Sequence, residues 1–277
     1  MTYLRLAVFA FAATASAGEF LNLPDKVEVG PMSAVRVDRA RGIVYVLHRG
    51  KIPLVWFDAQ GNYAGGWGGG QFKVPHGLRI DKRGFVWITD NGNNTVQQFE
   101  PTGSLVETIK EANGPLKAPD DIVFASNGDM YIADTGNSRI VHLSPQGKFI
   151  SQWGKKGKGP GEFATAHSLE IDSLDRIYVG DRNNNRIQIF TPDGKFVEEW
   201  TGFGNPFGML LYKDHLFVAE GEIHKVFELD KTGKIVRTIG GPDVFKLPHF
   251  MDYTRDGALY VAEVDGKRVQ KLRLEGQ

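Results

Sequence analysis

A chain of 277 residues that is 41% apolar and 24% charged has the composition of a folded globular protein, long enough for one large domain or two ordinary ones. Its 33 basic and 33 acidic residues cancel, which removes the net field that would draw it to nucleic acid or an anionic membrane. Without cysteine there is no disulfide framework and no thiolate metal site, so a metal would have to sit on histidine, carboxylate or backbone oxygen.

At the start of the chain Arg5 precedes the apolar run Leu6 to Ala13, and Ala15-Ser16-Ala17 offers the small residues that a signal peptidase reads. Residues 1–17 are therefore expected to be an export signal, with the mature protein periplasmic or extracellular. No later apolar stretch approaches the ~20 residues of a spanning helix, so no membrane span is expected. The 34 glycines and 18 phenylalanines, with short apolar runs between them, predict many short strands joined by tight turns.

The mature sequence repeats itself every 40 to 47 residues. Five segments carry the same turn, as in Gly103-Ser104-Leu105, Gly147-Lys148-Phe149 and Gly194-Lys195-Phe196. An alternating strand such as Arg186 to Phe190 precedes each turn and another follows it, so each turn is read as a hairpin joining two outer strands. Upstream lies a second strand pair, as in Gly77 to Asp81 and Phe85 to Asp90 across Lys82-Arg83-Gly84. The unit is four antiparallel strands, and six units begin at Ser33, His76, Asp120, His167, Phe207 and His249. Such units predict an all-β, six-bladed β-propeller over residues 18–277. The sixth unit ends one strand short, and Lys26-Val27-Glu28-Val29 is the N-terminal strand expected to complete it and close the ring. Trp67, Trp153 and Trp200 recur at the ends of outer strands and are read as packing between blades. Asp134 to Arg139 and Asp181 to Arg186 share D-x-x-N-x-R, read as loop hydrogen bonding.

In a four-stranded blade, the start of strand one and the end of strand two share a face. Histidine occupies the first position in units two, four and six, so three imidazoles would surround the channel at about 120°. Three neutral imidazoles aimed at one point suit zinc with an open fourth position, although iron, manganese and copper also accept imidazole, and His76, His167 and His249 are the expected ligands. The residues at the end of strand two include Arg49 and Arg182, on opposite blades. These two cations would form a mouth that holds a substrate carboxylate or stabilises an oxyanion. Asp120 faces the same mouth as a candidate base or ligand.

Taken in order, His48-Arg49-Gly50, Pro75-His76-Gly77-Leu78, Asn137-Ser138-Arg139-Ile140-Val141, His167-Ser168-Leu169, Asp181-Arg182 and Leu247-Pro248-His249 resemble the peptidyl-α-hydroxyglycine α-amidating lyase family. The repeats are also similar to NHL repeats. The resemblance implies a six-bladed propeller with zinc on His76, His167 and His249, substrate handled by Arg49 and Arg182, and cleavage of a carbinolamide to peptide amide and glyoxylate. It also implies a structural calcium. Two departures stand out. Asp134-Thr135-Gly136-Asn137 is one residue too short to carry the family's tyrosine base. Phe250 follows His249 where the family has a calcium-binding Asp, which leaves the Val35 and Leu78 carbonyls as the matching calcium ligands. The expected partner is a small molecule or peptide C-terminus bearing a carboxylate, with no nucleic acid, and the protein is expected to be a monomer. Two other functions fit an NHL propeller: non-catalytic binding of a protein or peptide, and a propeller lactonase or hydrolase, although calcium-dependent lactonase chemistry favours a carboxylate-rich channel over a histidine ring.

Overall fold

The computed structural model describes residues 19–21, 23–24 and 27–273. Among the described residues 24 strands form six four-stranded antiparallel sheets, the six-bladed propeller that the repeats predict. Two single-turn 3-10 helices, Thr135–Asn137 and Arg182–Asn184, are the only helical segments among the described residues. Blade four shows the pattern: Ala166–Ile171, Ile177–Asp181, Arg186–Phe190 and Phe196–Thr201 run as a meander from the channel outward. Its second and third strands are buried along their whole length, because each face of the blade packs on a neighbouring blade. The apolar side chains meet between the sheets, where Tyr178, Ile187 and Trp200 of blade four pack against Met209, Val218 and Phe227 of blade five.

Trp67, Trp153 and Trp200 are interblade residues, as expected. Each indole covers the hairpin glycine of the next blade, and a Cβ at Gly103, Gly194 or Gly233 would come within 2.7, 2.7 or 2.4 Å of it. These glycines also have φ of 96°, 81° and 79°, so the repeated turn needs glycine for its backbone as well as for the close approach.

Innermost strands touch their neighbours in ring order, and Pro248–Tyr253 of blade six returns to Met32–Asp38 of blade one. The N-terminal segment does close the ring, but not through Val27 to Val29. Glu19 pairs with Lys271 and Phe20 with Gln270, and the Leu21 N–H donates to the Val269 carbonyl at 3.1 Å. Pro24 has no N–H to give a ladder, and its carbonyl accepts from Val27 N at 2.8 Å, which turns the chain there. Val27 is buried and acts as filler, packed with Val35, Tyr260 and Ala262 between blades one and six. Lys26 and the expected export signal at 1–17 lie outside the described residues. Among the described residues no helix is long and apolar enough to cross a membrane.

Each second strand ends in a buried polar residue that holds the adjoining loops. Asp181 accepts from the Ala164 and Thr165 N–H groups at 2.9 and 3.1 Å, and from Asn184 Nδ2 and Arg186 Nε at 2.7 and 3.0 Å. This is the loop chemistry expected of the D-x-x-N-x-R motif, and Asp134 does the same with Asn137 and Arg139. Blade one uses His48 instead. Its Nδ1 accepts from Gly50 N at 3.0 Å and Gly30 N at 3.3 Å, an arrangement open only to the neutral ring. Burial pulls the His48 pKa down from 6.5 to about 4. Because the unfolded state binds the proton more tightly, this contact's stabilisation is complete above pH 6.5 and is lost as pH falls toward 4. The loss amounts to roughly 3 kcal/mol at most. Melting temperatures measured across this range should fall more steeply for the wild type than for His48→Gln; parallel curves would contradict the assignment.

Candidate metal centre

The first strand of every blade carries a register shift at its start, and the shifts bracket Ser33, His76, Asp120, His167, Phe207 and His249. A bulge leaves a residue out of the ladder and re-aims its side chain. Here the six re-aimed positions are the six that line the upper channel. Two consequences follow at each bulge: the side chain turns inward, and its peptide carbonyl is free to accept from elsewhere.

The three histidines converge. Their ring centroids are 4.8, 5.1 and 5.1 Å apart with interplanar angles of 88°, 79° and 86°, and one nitrogen from each lies within 4.8 Å of the others. Each Nδ1 meets the freed carbonyl of the next blade: His76 with Asp120 at 2.9 Å, His167 with Phe207 at 2.6 Å and His249 with Ser33 at 2.6 Å. A carbonyl can only accept, so Nδ1 carries the hydrogen and Nε2 keeps its lone pair. His167 Nε2 is buried without a hydrogen-bond partner. Burial, reinforced at His167 by the other two rings and at His249 by His76, holds the pKa of both well below the usual imidazole value. These rings are therefore neutral, the form that binds metal. The donor set, the fixed tautomers and the orphaned lone pair all fit a transition metal on His76, His167 and His249.

Backbone bonds fix the mouth to this ring. The N–H of Arg49 donates to Pro31 at 3.0 Å and that of Arg182 to Thr165 at 2.9 Å, each acceptor lying two residues before a bulge. Arg49 Nε reaches the Pro75 carbonyl at 3.4 Å, and the Arg182 guanidinium lies 4.9 Å from the centre of the Phe207 ring. Among the described residues neither arginine forms an ion pair. Asp120 stands beside the ring: its Oδ1 accepts from Asn91 Nδ2 at 2.7 Å and lies 3.6 Å from His76 Nδ1. Burial raises the pKa of its carboxyl group.

Beneath the ring the structure departs from the resemblance. Phe250 is buried against all three imidazoles, with centroid distances of 5.8 Å to His76, 6.2 Å to His167 and 4.8 Å to His249. On its other side the Arg36 and Arg79 guanidinium carbons each lie 6.0 Å from its centroid. Of the two calcium ligands implied by the resemblance, the Leu78 carbonyl is already engaged, accepting from Arg36 Nε at 2.9 Å. This lower cluster escapes the sequence reading. Its signal is a charged residue three positions after the bulge in blades one, two, four and six: Arg36, Arg79, Glu170 and Asp252.

Fold and ring together define a six-bladed β-propeller with a three-histidine channel. The chain belongs to the NHL-repeat propeller family. It is 33% identical over 87% of its length to NHL repeat-containing protein 3 of Mus musculus, 79% of which is covered. Residues 72–99 match the NHL repeat and residues 111–201 match a family described as 6-bladed beta-propeller. Among solved structures, a streptogramin B lyase superposes with a TM-score of 0.71 at 18% identity over 93% of this chain and 97% of that one. A gluconolactonase from Xanthomonas campestris gives 0.74 at 13% identity over 98% and 99%. At these identities the two structures share the fold.

Replacing His167 by Ala should sharply reduce the metal retained after dialysis, by removing one of three ligands, whereas His142→Ala, on the outer part of blade three, should not. Elemental analysis reads the outcome, and equal metal content in the two variants would rule out the ring as the site.

Proposed function

We propose that the protein is a metal-dependent lyase of the peptidyl-α-hydroxyglycine amidating type, acting outside the cytoplasm on the C-terminus of a peptide or a similar small carbinolamide. The observation that carries this reading is the pairing of the histidine ring with two arginines at its mouth that form no ion pair among the described residues. Bound at His76, His167 and His249, a divalent metal such as zinc supplies Lewis-acid polarisation of a substrate oxygen.

The chain's own residues supply the rest. Arg49 and Arg182 bind the terminal carboxylate with charge-assisted hydrogen bonds and set the scissile carbon over the ring. Asp120, engaged by Asn91 through Oδ1, takes the hydroxyl proton, the role left open by the absent tyrosine. As that O–H bond breaks, the carbon–oxygen double bond of glyoxylate forms, the C–N bond cleaves and the amide nitrogen is protonated. The reaction needs neither water nor an oxidant.

Metal-loaded protein should release glyoxylate from a peptidyl-α-hydroxyglycine. Arg182→Ala should lower kcat/KM by about 10- to 100-fold, as expected for losing a charged hydrogen bond. Asp120→Asn should lower kcat by ~10²–10⁴. A metal-replete protein without turnover would contradict the lyase and favour the second reading, a non-catalytic binding propeller.

A further inference from the structure

The lower channel assembles what a hard cation asks for: inward backbone carbonyls and three buried carboxylates, Asp121, Glu170 and Asp252. Each of these groups is already engaged. Arg36, from blade one, donates Nε to the Leu78 carbonyl of blade two at 2.9 Å and Nη1 to the Met251 carbonyl of blade six at 2.7 Å. Arg79, from blade two, donates Nε and Nη2 to the two Asp121 oxygens of blade three at 2.9 and 2.6 Å. Its Nη1 reaches Glu170 Oε1 of blade four at 2.7 Å, and Nη2 also reaches the Leu169 carbonyl. Asp252 pairs with Arg39 and accepts from Val37 N at 2.8 Å.

We infer that the chain supplies its own cation here: the Arg36 and Arg79 guanidinium groups fill the place of a structural divalent ion, and the propeller stays closed without calcium. The charge balance supports this. Two buried guanidiniums face Asp121 and Glu170, which they neutralise, and Arg36 Nη2 stands 3.8 Å from Glu170 Oε1. A divalent ion added to this set would meet two fixed positive charges. It would also need six to eight oxygens at about 2.3–2.6 Å, whereas the Leu78, Met251 and Leu169 carbonyls are occupied by N–H donors. Phe250 completes the substitution. It puts an apolar ring beside this set, with both guanidinium carbons 6.0 Å from its centroid, and offers no oxygen to a cation. The arginines thus bridge blades one, two and six and blades two, three and four, as a central ion would do from the axis.

The test uses the full chain as purified. In calcium-free buffer it should retain no calcium by elemental analysis, and adding calcium chloride should leave its melting temperature unchanged. One calcium per chain, or a melting temperature that rises by several degrees with calcium, would overturn the inference. In Arg36→Ala the melting temperature should drop, and free guanidinium ion, below denaturing concentration, should restore part of it where potassium at equal ionic strength does not. If the variant melts with the wild type, guanidinium is not what holds the lower channel. If Arg36→Ala does not fold, the wild-type calcium measurement decides by itself.

Discussion

A peptide carbonyl expelled from a β-ladder by a bulge must find another donor, and this propeller meets that demand with histidine. The bulge carbonyls of Ser33, Asp120 and Phe207, in blades one, three and five, each face the Nδ1 of a histidine at the bulge of the preceding blade. One contact therefore does three things: it satisfies a buried acceptor, joins neighbouring blades near the axis and leaves every Nε2 aimed inward. The alternation of histidine donors with carbonyl acceptors around six blades gives the channel its threefold character.

Burial separates two pairs of arginines that composition alone treats alike. Arg36 and Arg79 are enclosed, and an enclosed charge is tolerable only when it is matched and hydrogen-bonded. Both are held by carboxylate and carbonyl groups from several blades. Arg49 is exposed and Arg182 half-buried at the rim, where water can cover an unmatched charge. Phe250 lies between the ring and the lower pair, so the ring meets an apolar face below and a cationic mouth above.

Much of this was legible in the repeats. The hairpin glycines, the six first-strand starts and the histidines at alternate units are local signals, and each unit repeats the same physical solution. The closing strand was harder to read because Glu19-Phe20 is two residues long and has no periodicity, whereas Val27 and Val29 alternate like a strand but stand beside Pro24. The lower channel was hidden by alternation itself. Val35-Arg36-Val37 and Leu78-Arg79-Ile80 read as strands with a solvent-facing arginine, yet the polar face of an innermost strand looks onto the channel. The partners that neutralise those charges come from blades far away in sequence, as with Arg79 and Glu170, and nothing local announces them.

Three bulges aim three imidazoles at one point, where a metal would be held. X-ray absorption at the edge of the bound metal tests it most directly, on wild-type protein and on His249→Ala. Three imidazole nitrogens at about 2.0–2.1 Å are expected for zinc in the wild type, with one fewer in the variant. A first shell dominated by oxygen, or one unchanged by losing His249, would contradict it.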